Sequence, residues 1–566
     1  MDRRFLLAIV LTIGVIVLSN YLFPPPRPAP SPTGADSSAT ARSAPGSAVA
    51  AASPTGSTPV AARAAPAGSA PHVGAPAVGV PVPARAESVT VQTSHATMVL
   101  TSLGAAPVEV TLPEYRRLVA RRGGQEAAAI RTPGLPLLRY AVLAAGDTVR
   151  FDAVPFTVTR GVQGGQQTVG FRGVERGITL NVRYVFDSAE ARAFRAQTRV
   201  SVDGAPANAF LRVDLPRGFE SQEAKPEEDA THLSYAFKPV KRAASSIAFS
   251  KPDPGELKLE SGPFTWLAAK NKYFVVGLVS DSLRTPFEEL HVTGQERVGK
   301  QATAAQAEVY ATLARGAVEF DLYAGPQAWE RLRAVGREFE NVNPYGGWLQ
   351  GAVQPFATIV MRVLLWMKRS TGLSYGWILI VFAVAVRVIL WPMNQSAMRS
   401  SLKMQRLQPE LQATQEKYKG DPQQLQQEMM KVYKAHDMSP LSPLMGCLPL
   451  LIPMPILFAL FFVFQNTIEF RGVSFLWLPD ISLADPFYVF PVLMAASMYL
   501  LSWLGMRNSP PNPQAKMMSW LLPGMMLVMF LNFASGLTLY YFVQNLAALP
   551  QQWLIANERS KAAAPG

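Results

Sequence analysis

Cysteine and histidine are both scarce in this chain, and their scarcity excludes several kinds of chemistry. Among 566 residues there is one cysteine, Cys447, and there are five histidines. A single cysteine allows no intramolecular disulfide and no cysteine metal cluster. The histidines lack the spacing typical of metal ligands, so we expect no metal and no other cofactor. They are His72, His95, His232, His291 and His436.

Motifs of enzymatic chemistry are also missing from the sequence. We find no nucleophile elbow, no phosphate-binding loop and no residues placed for general acid–base catalysis. One acidic run, ESQEAKPEEDA at residues 220–230, has the polar composition of a solvated loop rather than of a catalytic pair. We therefore expect a protein that is not an enzyme.

Basic residues outnumber acidic ones, giving a formal net charge of +13 and a pI near 9.7. This excess could indicate nucleic-acid binding, but no arginine-rich stripe with interleaved aromatic residues supports that reading. Several apolar runs instead have the length of a membrane-spanning helix, and cytoplasmic loops of membrane proteins carry an excess of Lys and Arg. The sequence therefore favours a membrane protein without nucleic-acid readout.

The amino terminus, residues 1–23, predicts a transmembrane signal anchor. Arg3 and Arg4 precede an apolar run, and bulky residues follow it where a cleaved signal peptide would have a small-x-small site. A cleaved signal peptide is the alternative interpretation. Residues 24–85 consist almost wholly of Pro, Ala, Ser, Gly and Thr, which predicts a disordered tether because such a segment cannot bury enough apolar surface to fold.

Residues 86–343 change to alternating apolar and polar positions broken by Gly and Pro, as in GITLNVRYVFD and FRAQTRVSVDG. This pattern predicts an all-β antiparallel sandwich outside the membrane. Near its end, Pro326–Val342 has the spacing of one helix. Residues 344–370 then predict an amphipathic helix in the plane of the outer membrane interface, with another spanning helix as the alternative.

Five further apolar runs follow, and with the anchor they predict a six-span helical membrane protein. Its five-span core covers residues 371–556, and a short tail covers residues 557–566. Because the segment between the first two of these runs is rich in Lys and Arg, it belongs in the cytoplasm, which places both termini there and the large domain outside. The spans are approximately Tyr375–Trp391, Leu444–Asn466, Pro486–Leu504, Met518–Phe533 and Leu537–Ile555.

Residues 396–438 predict a charged cytoplasmic helical hairpin within this core. Gly420 ends the first helix, Asp421 can cap the second, and Pro422 falls in its first turn. A partner-binding surface and a structural connector both fit this hairpin.

Arg387 is the only ionisable residue well inside any of the five spans. An arginine in the hydrocarbon costs about 2.5 to 3.5 kcal/mol even on the most lenient insertion scale. Two interpretations account for it: the side chain extends to the lipid headgroups, or it faces a wet cavity that serves a substrate. The other polar residues of the spans are uncharged, and paired carboxylates of the kind found in ion-coupled transporters are missing.

The order of these segments resembles the YidC membrane protein insertase family. The resemblance is most specific in YGGWLQGAVQPF, MQRLQPELQ, PLMGCLPLLIPMPILFALFFV and SGLTLYYFVQN, all between Tyr345 and Ile555. It implies the Gram-negative form, located in the bacterial inner membrane with a periplasmic β-supersandwich of no assigned catalysis. It also implies a hydrophilic groove that is open to the cytoplasm and to lipid.

Family resemblance also implies which residues line the groove and which ones guide a substrate. A threonine found in relatives one turn before the arginine falls at Ala383, so that polar contact is missing. Implied partners are nascent membrane proteins, membrane lipids, the Sec translocon and ribosome–nascent chain complexes. By the resemblance, the groove residues are Arg387, Tyr540 and Tyr541, and the slide falls on the two Met- and Phe-rich runs, with Met454, Phe458, Phe461, Phe462, Met525, Met526 and Met529. Three uncharged polar residues of the spans are expected to line the same groove: Gln465, Asn532 and Gln544.

These observations predict an insertase and chaperone that works without nucleotide hydrolysis. Two rivals remain at this stage. The first is a secondary transporter of an anionic solute that binds at Arg387. The second is an envelope binding protein whose exported domain holds a ligand, against which the charged hairpin and the unpaired arginine argue.

Overall fold

A computed structural model describes most of the chain beyond residue 85. The described residues are 86–119, 126–144, 146–187, 189–206, 208–280, 287–297, 299, 301–313, 316–344, 350–418, 420–436, 454–507 and 513–563. The anchor and tether expected at residues 1–85 lie outside this range, as do Cys447 and the first part of the span expected from Leu444.

Nineteen strands within the described residues form three antiparallel sheets. A four-stranded sheet has the order β1-β2-β3-β4, a nine-stranded sheet the order β13-β12-β15-β16-β19-β10-β9-β8-β7, and a six-stranded sheet the order β14-β17-β18-β11-β5-β6. The strands are β1 Ser88–Gln92, β2 Thr97–Thr101, β3 Ala106–Arg116, β4 Ala127–Arg131, β5 Arg139–Ala144, β6 Asp147–Arg150, β7 Thr157–Gln163, β8 Gln166–Glu175, β9 Ile178–Phe186, β10 Arg195–Asp203, β11 Phe210–Asp214, β12 Ser234–Pro239, β13 Ser245–Ala248, β14 Leu257–Ser261, β15 Phe264–Lys270, β16 Phe274–Ser280, β17 Phe287–Gly294, β18 Ala305–Thr312 and β19 Ala317–Pro326.

The two larger sheets face each other across one hydrophobic core. Strands such as β9 and β18 alternate buried and half-exposed residues, because successive side chains of a strand point to opposite faces. Buried hydroxyls join the sheets: Tyr140 of β5 and Tyr184 of β9 lie 2.7 Å apart, and Tyr235 of β12 donates to the Ala305 carbonyl at 2.7 Å. The sandwich is therefore a fully packed domain.

Two expectations for this domain are wrong. The single helix expected over Pro326–Val342 is broken, with α2 at Trp329–Val335 and a short 3-10 helix at Phe339–Val342. The cause is Gly336, whose φ of 83° ends the first piece, followed by Arg337 and Glu338, also at positive φ. The acidic run at residues 220–230 is not solvated, since it contains the short helix α1, Pro226–Ala230, and two buried carboxylates.

The helical part contains eight helices among the described residues: α3 Gln350–Thr371, α4 Tyr375–Ile389, α5 Trp391–Lys417, α6 Pro422–Ala435, α7 Met454–Asn466, α8 Val489–Met506, α9 Pro513–Phe530 and α10 Ser535–Ala563. The last helix, α10, packs against α4 and α8, while α3 packs on α7 and α9 on α8. The core of the bundle lies between these helices. The end of the bundle that contacts the sandwich domain is called its outer end, and the opposite end is called its inner end.

Within the described residues, α8 alone is long and apolar enough to cross a membrane as a single helix. The helices α3 and α4 meet that criterion only together, and a bend of 120° separates them. At the inner end α4 stops at Ile389 and α5 starts at Trp391, with Pro392 in its first turn, where a missing N–H costs nothing.

The hairpin break is confirmed at the residues that predicted it. Asp421 precedes α6, and its carboxylate accepts hydrogen bonds from the backbone N–H groups of Gln423 and Gln424 at 2.9 and 3.0 Å. Pro422 occupies the first turn. Leu407, Leu411 and Tyr433 form a small apolar contact between α5 and α6. This contact and the cap define the hairpin geometry.

Candidate functional site

Arg387 lies near the inner end of α4, on the boundary between the exposed face and the buried face of that helix. The exposed face carries Val381, Val384 and Val388, while Ala383 is fully buried. Residues spaced by three and four positions share one side of a helix, so the valines form a continuous apolar stripe. The half-buried arginine lies beside this stripe and reaches toward α10.

The partner of Arg387 is a neutral amide on the last helix. The guanidinium Nη2 donates to Oε1 of Gln551 at 2.7 Å, and Nε2 of Gln551 donates to the Trp391 carbonyl at 3.0 Å. Gln551 is only 1% exposed. Within the described part of the chain no carboxylate contributes to the electrostatics of Arg387, and its buried Nε has no hydrogen-bond partner. The positive charge is therefore hydrogen-bonded but not neutralised.

Tyr540 and Gln544 continue the polar surface from Arg387 along α10. Nε2 of Gln544 donates to the Tyr540 hydroxyl at 3.1 Å, and Tyr540 lies close enough to Arg387 to interact with it electrostatically. Oε1 of Gln544 is buried and has no hydrogen-bond partner. Tyr541 lies elsewhere: its ring centroid is 5.8 Å from that of Phe530. The two tyrosines therefore face different neighbours.

Gln465 and Asn532 lie at the other end of the bundle from Arg387. Gln465 is one residue from the end of α7, and Asn532 is exposed in the turn between α9 and α10, not inside a span. At 1.5 Å per helical residue, Ser535, the first residue of α10, and Gln551 are separated by roughly 24 Å along the helix. The residues expected to line one groove are thus spread between the two ends of the bundle.

The slide residues lie on α7 and α9 and are mostly half-buried in the bundle core. Phe461 is buried, with ring centroids 5.2 Å from Phe462 and 5.3 Å from Phe533. Met526 and Met529 pack against the same apolar cluster. Met454, Phe458 and Met525 are also half-exposed.

An apolar belt surrounds the helices on the outside of the bundle. The surface there carries many large apolar side chains, and a contiguous exposed apolar surface of this kind is rare in water-soluble proteins. Several of these side chains are tryptophans, which are enriched at membrane interfaces. The large exposed side chains include Trp377, Val381, Val384, Val388 and Ile389 on α4, Val492, Leu493, Tyr499, Leu500 and Trp503 on α8, and Trp553 and Leu554 on α10.

No metal site is apparent in the described ranges, where no three His, Cys, Asp or Glu residues come together to hold an ion. A polar cluster inside a helical bundle with an apolar belt, joined to a β-sandwich, defines a membrane-embedded protein with a large domain outside the bilayer.

Family comparisons agree with this class. Residues 366–562 match the model described as "60Kd inner membrane protein", and residues 88–359 match "YidC periplasmic domain". The protein called "Membrane protein insertase YidC" of Citrifermentans bemidjiense is 30% identical over 98% of this chain and 99% of its own length. The chain therefore belongs to the YidC membrane protein insertase family, with a periplasmic β-sandwich domain and a helical insertase core.

Other relatives match over less of their length. The Pelodictyon phaeoclathratiforme protein of the same name is 32% identical, and the match covers 61% of this chain and 60% of that protein. For the Chlorobaculum parvum protein the identity is 34% over 54% of each. The crystal structure "Active YidC insertase crystal structure with the first transmembrane domain resolved" covers 83% of this chain and 93% of its own at 19% identity and a TM-score of 0.33.

Proposed function

We propose that this protein inserts newly made proteins into the bacterial inner membrane and assists their folding without nucleotide hydrolysis. The observation that carries the proposal is Arg387, a charged side chain in an apolar bundle whose hydrogen-bond partner, Gln551, is neutral. A positive charge left without a counter-ion in a medium of low dielectric attracts an acidic peptide segment. Membership of the insertase family supports this role.

The proposed mechanism is physical. A wet groove open to the cytoplasm shortens the apolar path that the polar exported segment of a client must cross. Arg387 acts as a transient counter-charge, and Tyr540 and Gln544 offer hydrogen bonds farther along the groove. Burial of the client's apolar helix in lipid, guided along Met525, Met526 and Met529 of α9 and the half-exposed side chains of α7, supplies the driving force.

The proposed topology has six spans with both termini in the cytoplasm. An anchor over residues 1–23 and a tether over residues 24–85 precede the periplasmic domain at 86–343. The segment at 344–370 lies along the outer interface, which the 120° bend between α3 and α4 supports. The core at 371–556 then contributes five spans with the hairpin at 396–438 on the cytoplasmic side, and a short tail follows.

Proposed partners are nascent membrane proteins, membrane lipids, the Sec translocon and ribosome–nascent chain complexes. The exposed apolar belt supports lipid contact. The basic hairpin of α5 and α6 offers a cytoplasmic surface for the ribosome, whose RNA is negatively charged. Its lysines include Lys417, Lys431 and Lys434.

Reconstitution into liposomes tests the function. Purified full-length protein is supplied with a small newly made membrane protein bearing an acidic exported segment, and protease protection of that segment is scored. The variants are Arg387→Ala and Arg387→Lys, and Arg507→Ala, an exposed arginine next to the end of α8, is the control. We expect Arg387→Ala to insert acidic-tailed clients about tenfold more slowly, since about 1.4 kcal/mol of attraction is lost. The lysine variant and the control should remain close to wild type.

Wild-type rates for every acidic-tailed client in both Arg387 variants would overturn the counter-charge mechanism. Failure of the wild-type protein to protect any client, together with uptake of a small anion, would favour a transporter instead. Retention of the activity by residues 86–343 alone would favour a periplasmic binding protein.

A further inference from the structure

The outer face of the six-stranded sheet carries charged residues that are nearly buried. Arg212 and Asp214 of β11 alternate with Leu211 and Val213, which lie in the core of the sandwich. Since successive side chains of a strand point to opposite faces, the two charged residues point away from that core. They are nevertheless only 9% and 4% exposed. Neighbouring side chains on the same face therefore cover them.

The neighbours of Asp214 on the adjacent strands are charged as well. In the register of the sheet Asp214 lies opposite Arg139 of β5 and Glu308 of β18, so the three side chains share one face. Arg139 and Arg212 lie 3.1 and 2.9 Å from the Asp214 carboxylate. Arg212 also lies 3.3 Å from Glu308. These four residues form a compact network of ion pairs.

Arg217, shortly after the end of β11, gives the network an excess of positive charge. Its Nη2 donates to the side chain of Gln306, a neutral group, at 2.7 Å. Within the described part of the chain, no carboxylate forms an ion pair with it. The three arginines at positions 139, 212 and 217 face two carboxylates, at positions 214 and 308, so one positive charge is not neutralised.

A cavity of about 20 Å³ lies within this network. A water molecule needs about 10 to 15 Å³, so there is room for roughly one or two oxygen atoms. One lining residue, Arg150, is exposed, which indicates that the cavity opens at the surface. The charged residues of the lining are Arg139, Arg150, Arg212, Arg217, Asp152 and Asp214.

Four buried polar atoms of the network have no hydrogen-bond partner among the described residues. Three of them are donors: Nη2 of Arg139, Nε of Arg212 and Nε of Arg217. The fourth is an acceptor, Oδ1 of Asp214. A buried polar group without a partner is costly, and a bound water or ion often accounts for one. Three donors against one acceptor favour a partner that only accepts, as an oxyanion does.

An aromatic surface lies beside the cavity. Tyr310 of β18 is directly opposite Arg212 in the register, and its ring centroid is 4.4 Å from that of His291 on β17. Both side chains are half-exposed. Aromatic rings bury a large apolar area against a flat organic group. The face thus combines a charged anchor with a surface for the carbon part of a ligand.

We propose that the outer face of the six-stranded sheet binds a small organic oxyanion, whose carboxylate or phosphate group enters the cavity between Arg139, Arg212 and Arg217. The carbon part of the ligand packs against Tyr310. This site is separate from the proposed insertion of clients, because all of its residues belong to the sandwich domain. Burial lowers the pKa of Arg139, and a bound anion stabilises the charged form of that side chain.

Isothermal titration calorimetry on the purified full-length protein in detergent tests the site. The probes are inorganic phosphate and phenyl phosphate at constant ionic strength, with chloride as the reference anion. The variants are Tyr310→Ala and two at half-exposed arginines, Arg217→Gln and Arg139→Gln. The control is Arg172→Gln, an exposed arginine on β8 of the nine-stranded sheet. Near-UV circular dichroism checks that each variant keeps the fold of the sandwich.

Wild type and Arg172→Gln should bind both probes saturably. Phenyl phosphate should bind about threefold more tightly than phosphate, since it adds an aromatic contact. Arg217→Gln and Arg139→Gln should each bind both probes about tenfold more weakly, because a charge-assisted hydrogen bond is lost. Tyr310→Ala should lose the preference for phenyl phosphate over phosphate.

Reconstituted protein distinguishes a soluble ligand from a lipid headgroup. The phenyl phosphate titration is repeated in phosphatidylcholine vesicles with and without phosphatidylglycerol. Salt at about 0.15 M limits the effect of the vesicle charge itself to a distance of about 8 Å. Weaker binding in the phosphatidylglycerol vesicles would support the site with a headgroup phosphate as its ligand. Equal binding would support it with a soluble ligand.

Two results would overturn the proposal. One is the absence of saturable binding of either probe to the wild-type protein, which would mean that the network only joins the strands. The other is equal affinity in wild type, Arg217→Gln and Arg139→Gln, which would place the binding elsewhere. Neither result bears on insertion, which protease protection of a client measures separately.

Discussion

Gln551 holds the guanidinium of Arg387 at 2.7 Å with one end of its amide and the Trp391 carbonyl at 3.0 Å with the other. This amide therefore links the charged residue of α4, the start of α5 and the last helix. An amide accepts the arginine hydrogen bond without cancelling its charge, and a carboxylate of the same size would cancel it. The identity of residue 551 thus decides whether the bundle presents a net positive charge.

Gln551→Glu should abolish the preference for acidic clients while preserving the hydrogen bond to Arg387. The new ion pair would neutralise the arginine, so we expect insertion of an acidic-tailed client to fall about tenfold, as in Arg387→Ala. Insertion of a client with a neutral tail should change little. The measurement is protease protection with the two clients in parallel. Gln552→Glu, one residue away and half-exposed, is the matched control.

Glu469, in the loop between α7 and α8, accepts a hydrogen bond from the backbone N–H of Trp329 in the sandwich domain at 3.0 Å. Docking of the domain on this loop should weaken as the pH rises from about 4.5 toward about 7. Burial raises the pKa of Glu469 from 4.5 to about 7, with Glu330 adding to the rise. In this interval the docked state keeps protons that the undocked state releases, so docking loses stability with increasing pH. The titratable groups that interact with Glu469 are Glu330, Tyr115, Tyr323 and Tyr375.

Spin labels at Val174→Cys in the sandwich domain and Phe487→Cys beside the start of α8, both exposed positions, report the distance between domain and bundle across that pH interval. Glu469→Gln removes the titrating group and should flatten the pH dependence. A wild-type distribution that stays constant from pH 4.5 to 7 would contradict the prediction.

Gly376→Ala should destabilise the helical core by about 1 to 3 kcal/mol, the usual cost of overpacking. The added methyl group would meet the Phe475 ring at 2.1 to 2.7 Å, and that ring lies in the loop between α7 and α8. Urea unfolding in detergent, followed by tryptophan fluorescence, measures the change. Gly524→Ala on α9 is the control, since nothing lies within 4 Å of its added Cβ. That variant should be neutral or gain up to about 1 kcal/mol of helix propensity.

The buried tyrosine pair of the sandwich should respond unequally to loss of each hydroxyl. Tyr184 donates to the Ala105 carbonyl at 2.9 Å and accepts from Tyr140 at 2.7 Å. Tyr184→Phe leaves two buried groups unpaired and should cost about 2 to 3 kcal/mol, whereas Tyr140→Phe should cost about 1 kcal/mol. Urea unfolding followed by near-UV circular dichroism tests the order. Equal costs, or the reverse order, would contradict the assigned direction of the bonds.

Local chemistry was the part of the fold that the sequence could predict well. Asp421 and Pro422 predict the start of α6 correctly because their effects are local. The Asp421 side chain caps the helix, and the fixed φ of Pro422 suits its first turn. The helix expected over Pro326–Val342 failed at Gly336, since apolar spacing continues through a position where the backbone turns to positive φ. Periodicity reports which side chains face the core and not where the chain changes direction.

Contacts between distant segments were the part that the sequence could not give. Gln551 follows Pro550 in an apolar run, and its polarity is visible, but only the packing of α10 on α4 brings it to Arg387. Glu223 lies in a run whose polar composition is typical of a solvated loop. Its partner, Arg471, is 248 positions away, so the sequence of the run does not show that Glu223 is buried and paired. Asn532 was expected inside a span and lies in a turn, since one helix end shifted by three residues moves it out of the bundle.

The direct passage from α4 to α5 has a mechanical consequence. Leu390 alone separates the two helices, and the amide that holds Arg387 is also bonded to the first residue of α5. The hairpin is thus joined to α4 without a flexible linker, at a point next to Arg387. Any tilt of α5 relative to α4 would move the Trp391 carbonyl and Gln551 together, and it would therefore change the orientation of the arginine.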